Sequence, residues 1–381
     1  MPRSYAVVMG DSGIFTYFDS VCGHNRRVYG NCRKASLKKQ IFFTREERRV
    51  RAVKMIFIAV CILVMSGCSH KTEPIEASKL VYAMDTEMSL KAYGDNAREA
   101  VEQAETEIKR LDALFRRDSA QSKVYKINNG SLPEVSDDTA YLINRAFDIS
   151  SSTNGAFDIS IAPVMDLWGF YTKEFYVPQK DELEQTLLSV NYENVHTYGN
   201  FVTLTNGAQI DPGGIAKGYT SDRIAEVFKS CGVNSGIVSL GGNVHAIGLK
   251  PDGSKWRVAI QNPDNDGYIC TVEVSDKAVI TSGGYQRFFE RDGKIYHHII
   301  DPKTGYPADS GIKSVSVISE DGTSADGLST ALFVMGLEES INYWKEHDGF
   351  DVIFMTDDNE IYITDGIADS FESQYEYDII K

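Results

Sequence analysis

The sequence lacks several patterns that would place a protein in a common class at once. Only six of its 381 residues are cysteines, and no Cys/His spacing matches a zinc site. It contains neither a Walker A loop nor a Rossmann glycine fingerprint, and it shows no internal repeat or low-complexity linker. These absences exclude a zinc module, a repeat array and two common nucleotide-binding motifs. One globular catalytic unit is the simplest interpretation.

Positive charge is scarce outside the N-terminal segment. The first 67 residues contain 12 Lys and Arg and 4 Asp and Glu, a net charge of +8, whereas the whole chain has a net charge of −15. Residues 68–381 therefore carry about −23 and would repel phosphates except at local clusters. No nucleic-acid partner is expected, and a phosphorylated ligand would need a metal ion or a few well-placed cations.

The N-terminal segment has the order of a lipoprotein signal peptide. A basic stretch at residues 45–54 precedes an apolar run at residues 55–65, which is too short to span a bilayer stably. The run ends at Ser66-Gly67-Cys68. This order predicts export and lipidation of Cys68, so the protein would be anchored to a membrane and face the periplasm or the cell exterior. An ordinary cleaved signal or a membrane anchor is the alternative.

The same interpretation divides the chain into three segments. Residues 1–67 are a doubtful N-terminal extension plus the signal peptide, because a signal peptide normally starts close to its charged region. Residues 68–78 form a polar tether, and residues 79–381 form the catalytic domain. In that domain Cys231 and Cys270 could form one disulfide or remain two separate buried thiols, and their spacing does not decide between these.

Periodicity along the domain predicts helices interspersed with antiparallel hairpins. Residues 79–93 alternate as strands do, and Asn96 followed by Glu99 predicts a capped helix start. Turn residues at Asp292-Gly293 and at residues 357–359 predict two hairpins. Further strands are predicted at residues 201–205, 236–240 and 256–261, and further helices at residues 138–151, after Gly218 and at residues 324–336. The mixture favours an α+β fold, with antiparallel or mixed sheets and flanking helices, over a doubly wound sheet.

The densest candidate motif is QIDPGGIAKGY at residues 209–219. A strand would end at Asp211, and consecutive glycines would let the backbone approach a ligand before a helix begins. Free N–H groups at that helix start favour an anion, and Lys217 adds a mobile positive charge. An ordinary strand–turn–helix junction is the alternative.

A second motif is SADGLSTA at residues 324–331. Asp326 and Thr330 are four residues apart, so in a helix their side chains share one face. A carboxylate and a hydroxyl are hard oxygen ligands suited to magnesium, which also binds substrate phosphates. A helix start with a capping Ser or Asp is the alternative.

A third motif is YHHIIDPKTG at residues 296–305. Strand alternation would place His298 and Ile300 on one face and His297 on the other. One histidine could act as a general base near neutral pH, and the other would then be structural.

A fourth motif is GAFDISIAP at residues 155–163. Phe157 offers a ring face to a heterocycle, and Asp158 offers it a hydrogen-bond acceptor. A buried aromatic turn without a ligand is the alternative.

Together, the order and wording of these motifs resemble the ApbE family of FAD:protein FMN transferases, which includes flavin-trafficking lipoproteins. The similarity extends from about residue 80 to the C-terminus. The matching segments are Met84-Asp85-Thr86, GAFD at residues 155–158, DPGGIAKG at residues 211–218, SLGGN at residues 239–243, HIIDP at residues 298–302, and Asp326 with Thr330. The resemblance implies the family's α+β architecture, which is related to the tunnelling fold.

The resemblance also implies the residues of a site. The predicted FAD contacts are Met84, Ala156, Phe157, Asp158, Asp211, Lys217 and the backbone of Ile300. Magnesium would be held by the Gly214 carbonyl together with the side chains of Asp326 and Thr330. Asp326 would thereby be catalytic, and His298 matches the position proposed as the catalytic base in the family.

The implied reaction is magnesium-dependent transfer of FMN from FAD to a Thr or Ser hydroxyl of an exported flavoprotein, with release of AMP. Subunits of Rnf- or Nqr-type redox complexes are the expected acceptors. Two alternatives are an FAD pyrophosphatase that yields FMN and AMP, and a non-catalytic FAD-binding carrier lipoprotein.

Two segments depart from the family pattern. Asp85 stands where glycine is common, which puts a charge beside the expected flavin site. Residues 115–122 lack the aromatic residue and the Pro-Asp-Ser-Glu run that the family commonly has, so that side of the FAD pocket is not predicted.

Overall fold

Strands and helices alternate along residues 74–131 and 134–381, the part of the chain that the computed structural model describes. The strands are β1 (Glu76–Ala83), β2 (Thr86–Tyr93), β3 (Val195–Tyr198), β4 (Phe201–Leu204), β5 (Ser235–Leu240), β6 (Asn243–Gly248), β7 (Trp256–Gln261), β8 (Tyr268–Val274), β9 (Lys277–Gly283), β10 (Phe288–Arg291), β11 (Lys294–His297), β12 (Ile312–Ser319), β13 (Phe350–Thr356), β14 (Ile361–Thr364), β15 (Phe371–Glu372) and β16 (Asp378–Ile380). The helices are α1 (Ala97–Phe115), α2 (Lys123–Asn128), α3 (Asp137–Ser152), α4 (Ala162–Leu167), α5 (Lys180–Leu187), α6 (Ala216–Ser230), α7 (Gly322–Met335) and α8 (Leu337–Glu346).

The largest sheet has nine strands in the order β1-β2-β5-β6-β9-β12-β13-β14-β16. Every neighbouring pair in it is antiparallel except β14 and β16, which run parallel. A three-stranded sheet, β15-β8-β7, and the hairpins β3–β4 and β10–β11 are separate from it. This mostly antiparallel arrangement with helices confirms the predicted α+β fold.

Alternate residues of the central strands face opposite sides of the large sheet. In β6, Val244 and Ala246 pack with the apolar side chains of β7 and β8, whereas Ile247 packs with α1 and α6. In β13, Ile353 joins the first group and Phe354 joins a core that includes α3 and α7. Side chains alternate along a strand, so both faces are apolar only where both are covered. The large sheet is therefore a middle layer between helices and the three-stranded sheet.

The predicted strand region at residues 79–93 is a hairpin of two strands. β1 pairs with β2 across a two-residue turn at Met84 and Asp85, whose φ angles are +49° and +59°. Two positive φ angles give the turn a twist that matches paired strands, and Asp tolerates this left-handed conformation better than most residues. β1 already begins at Glu76, so the predicted tether of residues 68–78 extends three residues too far.

Three local predictions differ from the structure for identifiable reasons. Asn96 does precede α1, but its side chain donates to the Cys231 carbonyl (2.8 Å) and does not cap the helix. α6 begins at Ala216, before Gly218, because the short 3₁₀ turn Pro212–Gly214 leads directly into it. β11 ends at His297, so His298 follows the strand that was predicted to contain it.

Both described cysteines are free thiols. Cys231 is partly exposed, and Cys270 is buried in the core between the two sheets, where burial raises the pKa of its thiol. Of the two open possibilities, the structure therefore shows separate thiols. Within residues 74–131 and 134–381, no helix is both long enough and apolar enough to cross a membrane. The signal segment and Cys68 lie outside the described residues.

Candidate active site

The N-terminal ends of α6 and α7 meet at Gly218. The Gly218 N–H donates to Asp326 Oδ2 of α7 at 2.8 Å. A Cβ atom at Gly218 would lie 2.6 Å from Asp326 Cβ and would overlap the carbonyl oxygen of Gly322. Only glycine therefore lets the two helices approach this closely. The close approach brings the glycine motif and the Asp326 motif, 108 residues apart in sequence, into one site.

Three groups surround the buried carboxylate of Asp326: two hydrogen-bond donors and one cation. Besides the Gly218 N–H, Asn243 Nδ2 of β6 donates to Asp326 Oδ1 at 2.9 Å, and Lys217 Nζ lies 3.9 Å from the same oxygen. Each carboxylate oxygen can accept more than one bond. Asp326 is therefore fixed in orientation and keeps acceptor capacity for a cation.

Thr330 lies one helical turn beyond Asp326, beside the Pro212–Gly214 turn. Its Oγ1 is 3.3 Å from Ser282 Oγ of β9 and 3.8 Å from the position that a Cβ atom would take at Gly214. A carboxylate, a hydroxyl and a nearby backbone turn form an oxygen donor set of the kind that magnesium prefers. No three His, Cys, Asp or Glu side chains gather at metal distance among the described residues. A cation here would therefore also need ligand oxygens or water.

His298 has one ring nitrogen already bonded. Its Nδ1 is 3.1 Å from the Arg287 carbonyl, which can only accept, so in the neutral ring Nδ1 donates and Nε2 is left as an acceptor. Burial, together with the Arg287 and Lys217 cations, lowers the pKa of His298 to about 3. The ring is therefore neutral near pH 7, and Nε2 is available as a hydrogen-bond acceptor.

His297 has a structural environment instead. Its Nε2 lies 3.1 Å from the Ala308 carbonyl, and its ring packs edge-to-face on Phe333 at a centroid distance of 5.6 Å. Both contacts belong to the core. The sequence left open which histidine could be the base, and these surroundings favour His298.

The wall formed by residues 155–158 packs against the glycine turn. Ala156 and Phe157 are buried, and a Cβ at Gly214 would lie 3.0 Å from the Phe157 ring. Asp158 is also buried, which raises the pKa of its carboxyl. Its Oδ1 accepts from Ser160, and its Oδ2 accepts from the Tyr192 N–H. Asp158 thus holds the turn, and its contact with a heterocycle stays a prediction.

Two further predicted FAD contacts are Met84 and Ile300. Met84 packs its sulfur 3.7 Å from Thr220 Oγ1 on α6, and its N–H donates to Asp112 Oδ1 at 3.0 Å. Asp85 is exposed on the turn. Ile300 is buried and forms an isolated antiparallel bridge with Pro307. The hairpin turn thus places Met84 against the helix that carries Lys217.

Known proteins resemble this chain over most of the residues described here. A model of the ApbE family matches residues 84–354. The chain belongs to the ApbE family. A Treponema pallidum FAD:protein FMN transferase is 33% identical to it over 340 residues, which cover 82% of this chain and 94% of the relative. A Vibrio cholerae FAD:protein FMN transferase is 32% identical over 294 residues, or 74% of this chain and 87% of the relative.

Solved ApbE structures share the fold. The ApbE protein of Thermotoga maritima superposes with a TM-score of 0.73 at 34% identity, over 77% of this chain and 98% of that protein. The flavin transferase ApbE from Vibrio cholerae superposes with a TM-score of 0.71 at 26% identity, over 78% of this chain and 99% of that protein. The ApbE-type architecture expected from the sequence is confirmed.

Sequence reasoning missed Arg117 in the segment that departs from the ApbE pattern. Its buried guanidinium donates to Asp211 at 3.1 Å and to Asp166 at 2.6 Å, and lies 4.9 Å from the centre of the Tyr171 ring. The other Asp211 oxygen accepts from the Gly213 N–H at 2.9 Å. Asp211 therefore braces the glycine turn against Arg117. The only signal in the sequence was a pair of arginines within a strongly acidic domain.

Proposed function

We propose that this chain transfers FMN from FAD to a Thr or Ser hydroxyl of an exported flavoprotein, with magnesium as cofactor and AMP as second product. One observation carries the proposal. The buried Asp326 carboxylate lies beside Lys217, Thr330 and the Gly214 turn in a chain of the ApbE family. Two relatives of high coverage bear the name FAD:protein FMN transferase.

The donor set fits magnesium. Asp326 is oriented by Gly218 and Asn243, and the Thr330 hydroxyl adds a second oxygen on the same helix face. The backbone of Gly214 would supply the third. When bound, the ion would neutralise charge on the diphosphate of FAD and favour cleavage of that linkage.

The protein's own groups account for the remaining steps. Lys217 would hold a phosphate oxygen by charge, which matters because the domain as a whole is acidic and repels phosphates. His298 Nε2 would accept the proton of the acceptor hydroxyl as that oxygen attacks the FMN-side phosphorus. The bond from that phosphorus to the oxygen of AMP then breaks, and AMP departs. Positioning and electrostatics supply most of the barrier reduction in such transfers.

Intact-mass measurement tests the proposal directly. The purified chain is incubated with FAD, magnesium and a candidate acceptor, such as a flavin-carrying domain of an Rnf- or Nqr-type complex, and AMP is quantified. An acceptor that gains the mass of FMN while AMP appears supports transfer. AMP without an adduct would support the pyrophosphatase instead, and FAD binding without AMP would support a carrier.

We further propose that the mature protein is anchored through a lipid on Cys68, on the exported side of the membrane. The support is the order of charge, apolar run and Ser-Gly-Cys in the sequence. Cell fractionation tests it, with the Cys68→Ser variant as control. Wild type should be in the membrane fraction, and its N-terminal peptide should carry the acyl mass. A wild type that is cleaved elsewhere, or found equally in the soluble fraction, would contradict the anchor.

A further inference from the structure

Asp222 on α6 bonds to the first turn of α7, the helix that carries Asp326 and Thr330. Asp222 Oδ1 accepts from the Gly322 N–H at 2.9 Å, and Oδ2 accepts from the Thr323 N–H at 2.7 Å and the Thr323 hydroxyl at 2.6 Å. The first N–H groups of a helix have no partner within it. Asp222 thus satisfies two of them from a different helix.

The Asp222 carboxylate packs closely against the backbone of Gly322. A Cβ atom at Gly322 would lie 2.6 Å from Asp222 Oδ1 and 2.7 Å from Ser221 Oγ, so a side chain there would displace both groups. α7 already has its own cap, because Asp321 Oδ1 accepts from the Ser324 N–H at 2.9 Å. Asp222 is therefore an additional bond between helices and not the cap that α7 would otherwise lack.

Strand β6 of the large sheet also contacts this junction between α6 and α7. His245 of β6 places Nδ1 3.2 Å from Ser221 Oγ and 3.6 Å from Asp222 Oδ1. Two residues earlier on the same strand face, Asn243 holds Asp326. Burial lowers the pKa of His245 to about 4, so this ring is neutral near pH 7. The N–H groups at the N-terminus of α7 therefore stabilise the negative charge of Asp222, and His245 does not form an ion pair with it.

We propose that Asp222 is a positioning residue of the transfer reaction: it locks α7 to α6 and so sets the spacing of Asp326 and Thr330 from Lys217 and the glycine turn. This inference rests on the proposed magnesium-dependent function. Asp222 itself would touch neither metal nor FAD. Its replacement should weaken cation binding at the site, since groups that orient metal ligands commonly contribute about 10- to 100-fold in metal affinity.

The test compares two carboxylates at the same helix terminus. FAD binding is followed by quenching of flavin fluorescence while magnesium is titrated, in wild type, Asp222→Asn and Asp321→Asn. We expect the magnesium midpoint to rise about 10-fold or more in Asp222→Asn, because an amide cannot accept the Gly322 and Thr323 donors together. Asp321→Asn keeps a capping oxygen for the Ser324 N–H and loses the ion pair with Arg145 (2.8 Å), so it should leave the midpoint unchanged. Saturating magnesium should restore most of the turnover of Asp222→Asn.

The magnesium midpoints of these variants show whether Asp222 positions the metal ligands. An unchanged midpoint in a folded Asp222→Asn variant, or an equal rise in Asp321→Asn, would overturn it. If Asp222→Asn fails to fold, Thr323→Val removes one donor to Asp222 and keeps the side-chain shape, and an unchanged midpoint in that variant would also overturn it. A wild type whose FAD binding ignores magnesium would instead remove the proposed function on which the inference rests.

Discussion

Strand β6 of the nine-stranded sheet buries different kinds of side chain on its two faces. On one face, Val244 and Ala246 pack with aliphatic residues of the three-stranded sheet such as Ile260 and Val272. On the other face, toward the helices, β6 buries Asn243 and His245, which alternate with Val244 and Ala246 along the strand. Along one strand, therefore, successive residues serve the apolar core and the candidate active site in turn.

Hydrogen bonds from neighbouring elements make the polar site rigid. Asp326 and Asp222 on the helical side receive hydrogen bonds from neighbouring elements, which offsets the cost of burying a charge. The apolar side chains on the opposite side need no hydrogen-bond partners, and burial of their surface stabilises the fold. We expect substitutions on the helical side to impair chemistry, and substitutions on the apolar side to impair stability.

Asp326→Ala should have the largest effect. Removal of the carboxylate takes away the charged member of the proposed metal site, and turnover should fall about 10³-fold or more, a loss of several kcal/mol of transition-state stabilisation. The measurement is FMN transfer at several magnesium concentrations. Full magnesium-dependent activity in this variant would remove Asp326 from the metal site.

Ile260→Ala tests the apolar side. Ile260 is buried among β7, β8 and the large sheet, so truncation should lower the free energy of unfolding by about 2–5 kcal/mol. Urea denaturation gives the free energy, and transfer kinetics at a temperature where the variant is folded should match wild type. Reduced turnover in the folded variant would mean that the two sides are not separable.

His298→Gln should lower turnover about 100-fold, the scale of one general base. Gln can still donate to the Arg287 carbonyl but lacks the basic nitrogen. Magnesium-dependent FAD binding should be unchanged, which fluorescence quenching can check. If FAD affinity falls and turnover at saturation does not, His298 binds the substrate and is not the base.

Per pH unit, the pH dependence of stability gives the smallest effect. The pKa of His298 is lowered in the folded state, so between about pH 6.5 and 3 the unfolded chain binds more protons there. Stability from this group is full above pH 6.5 and is lost as the pH falls, by at most about 1.4 kcal/mol per pH unit.

His298→Gln should therefore flatten the curve below pH 6.5, whereas Ile260→Ala should shift it downward without a change of slope. Unfolding by urea from pH 7.5 to 4.5 measures both curves. Burial raises the pKa of Asp222 to about 6, so below that pH the folded protein binds more protons at this group than the unfolded chain does. Its contribution to stability therefore rises as the pH falls, opposite to that of His298. This contribution is the same in wild type and in His298→Gln. Parallel curves for wild type and His298→Gln would contradict the lowered pKa.

Local patterns predicted the elements that carry their own signals. The hairpin at Asp292-Gly293 has turn residues of a defined type, and α1 has apolar residues at helical spacing. Strands β6, β9 and β12 were not predicted. In β9 the apolar residues 278–280 are consecutive, as expected where both faces of a strand are covered, whereas β6 and β12 do alternate apolar and polar residues over four positions.

At the site, the spacing of Asp326 and Thr330 on one helix face followed from the sequence, since four residues make about one turn. The glycine motif also indicated a close backbone approach. The sequence, together with the family resemblance, thus determined the fold class and named candidate ligands, whose roles stay predictions.

Only the tertiary structure decided what holds those residues in place. Arg117 bonds to Asp211, and Asn243 bonds to Asp326, over separations of 94 and 83 residues. The bonds from Asp222 to Gly322 and Thr323 likewise cross about 100 residues of sequence. No local pattern encodes such pairs, because they arise from how segments far apart in sequence pack together, and that packing is set by the core as a whole.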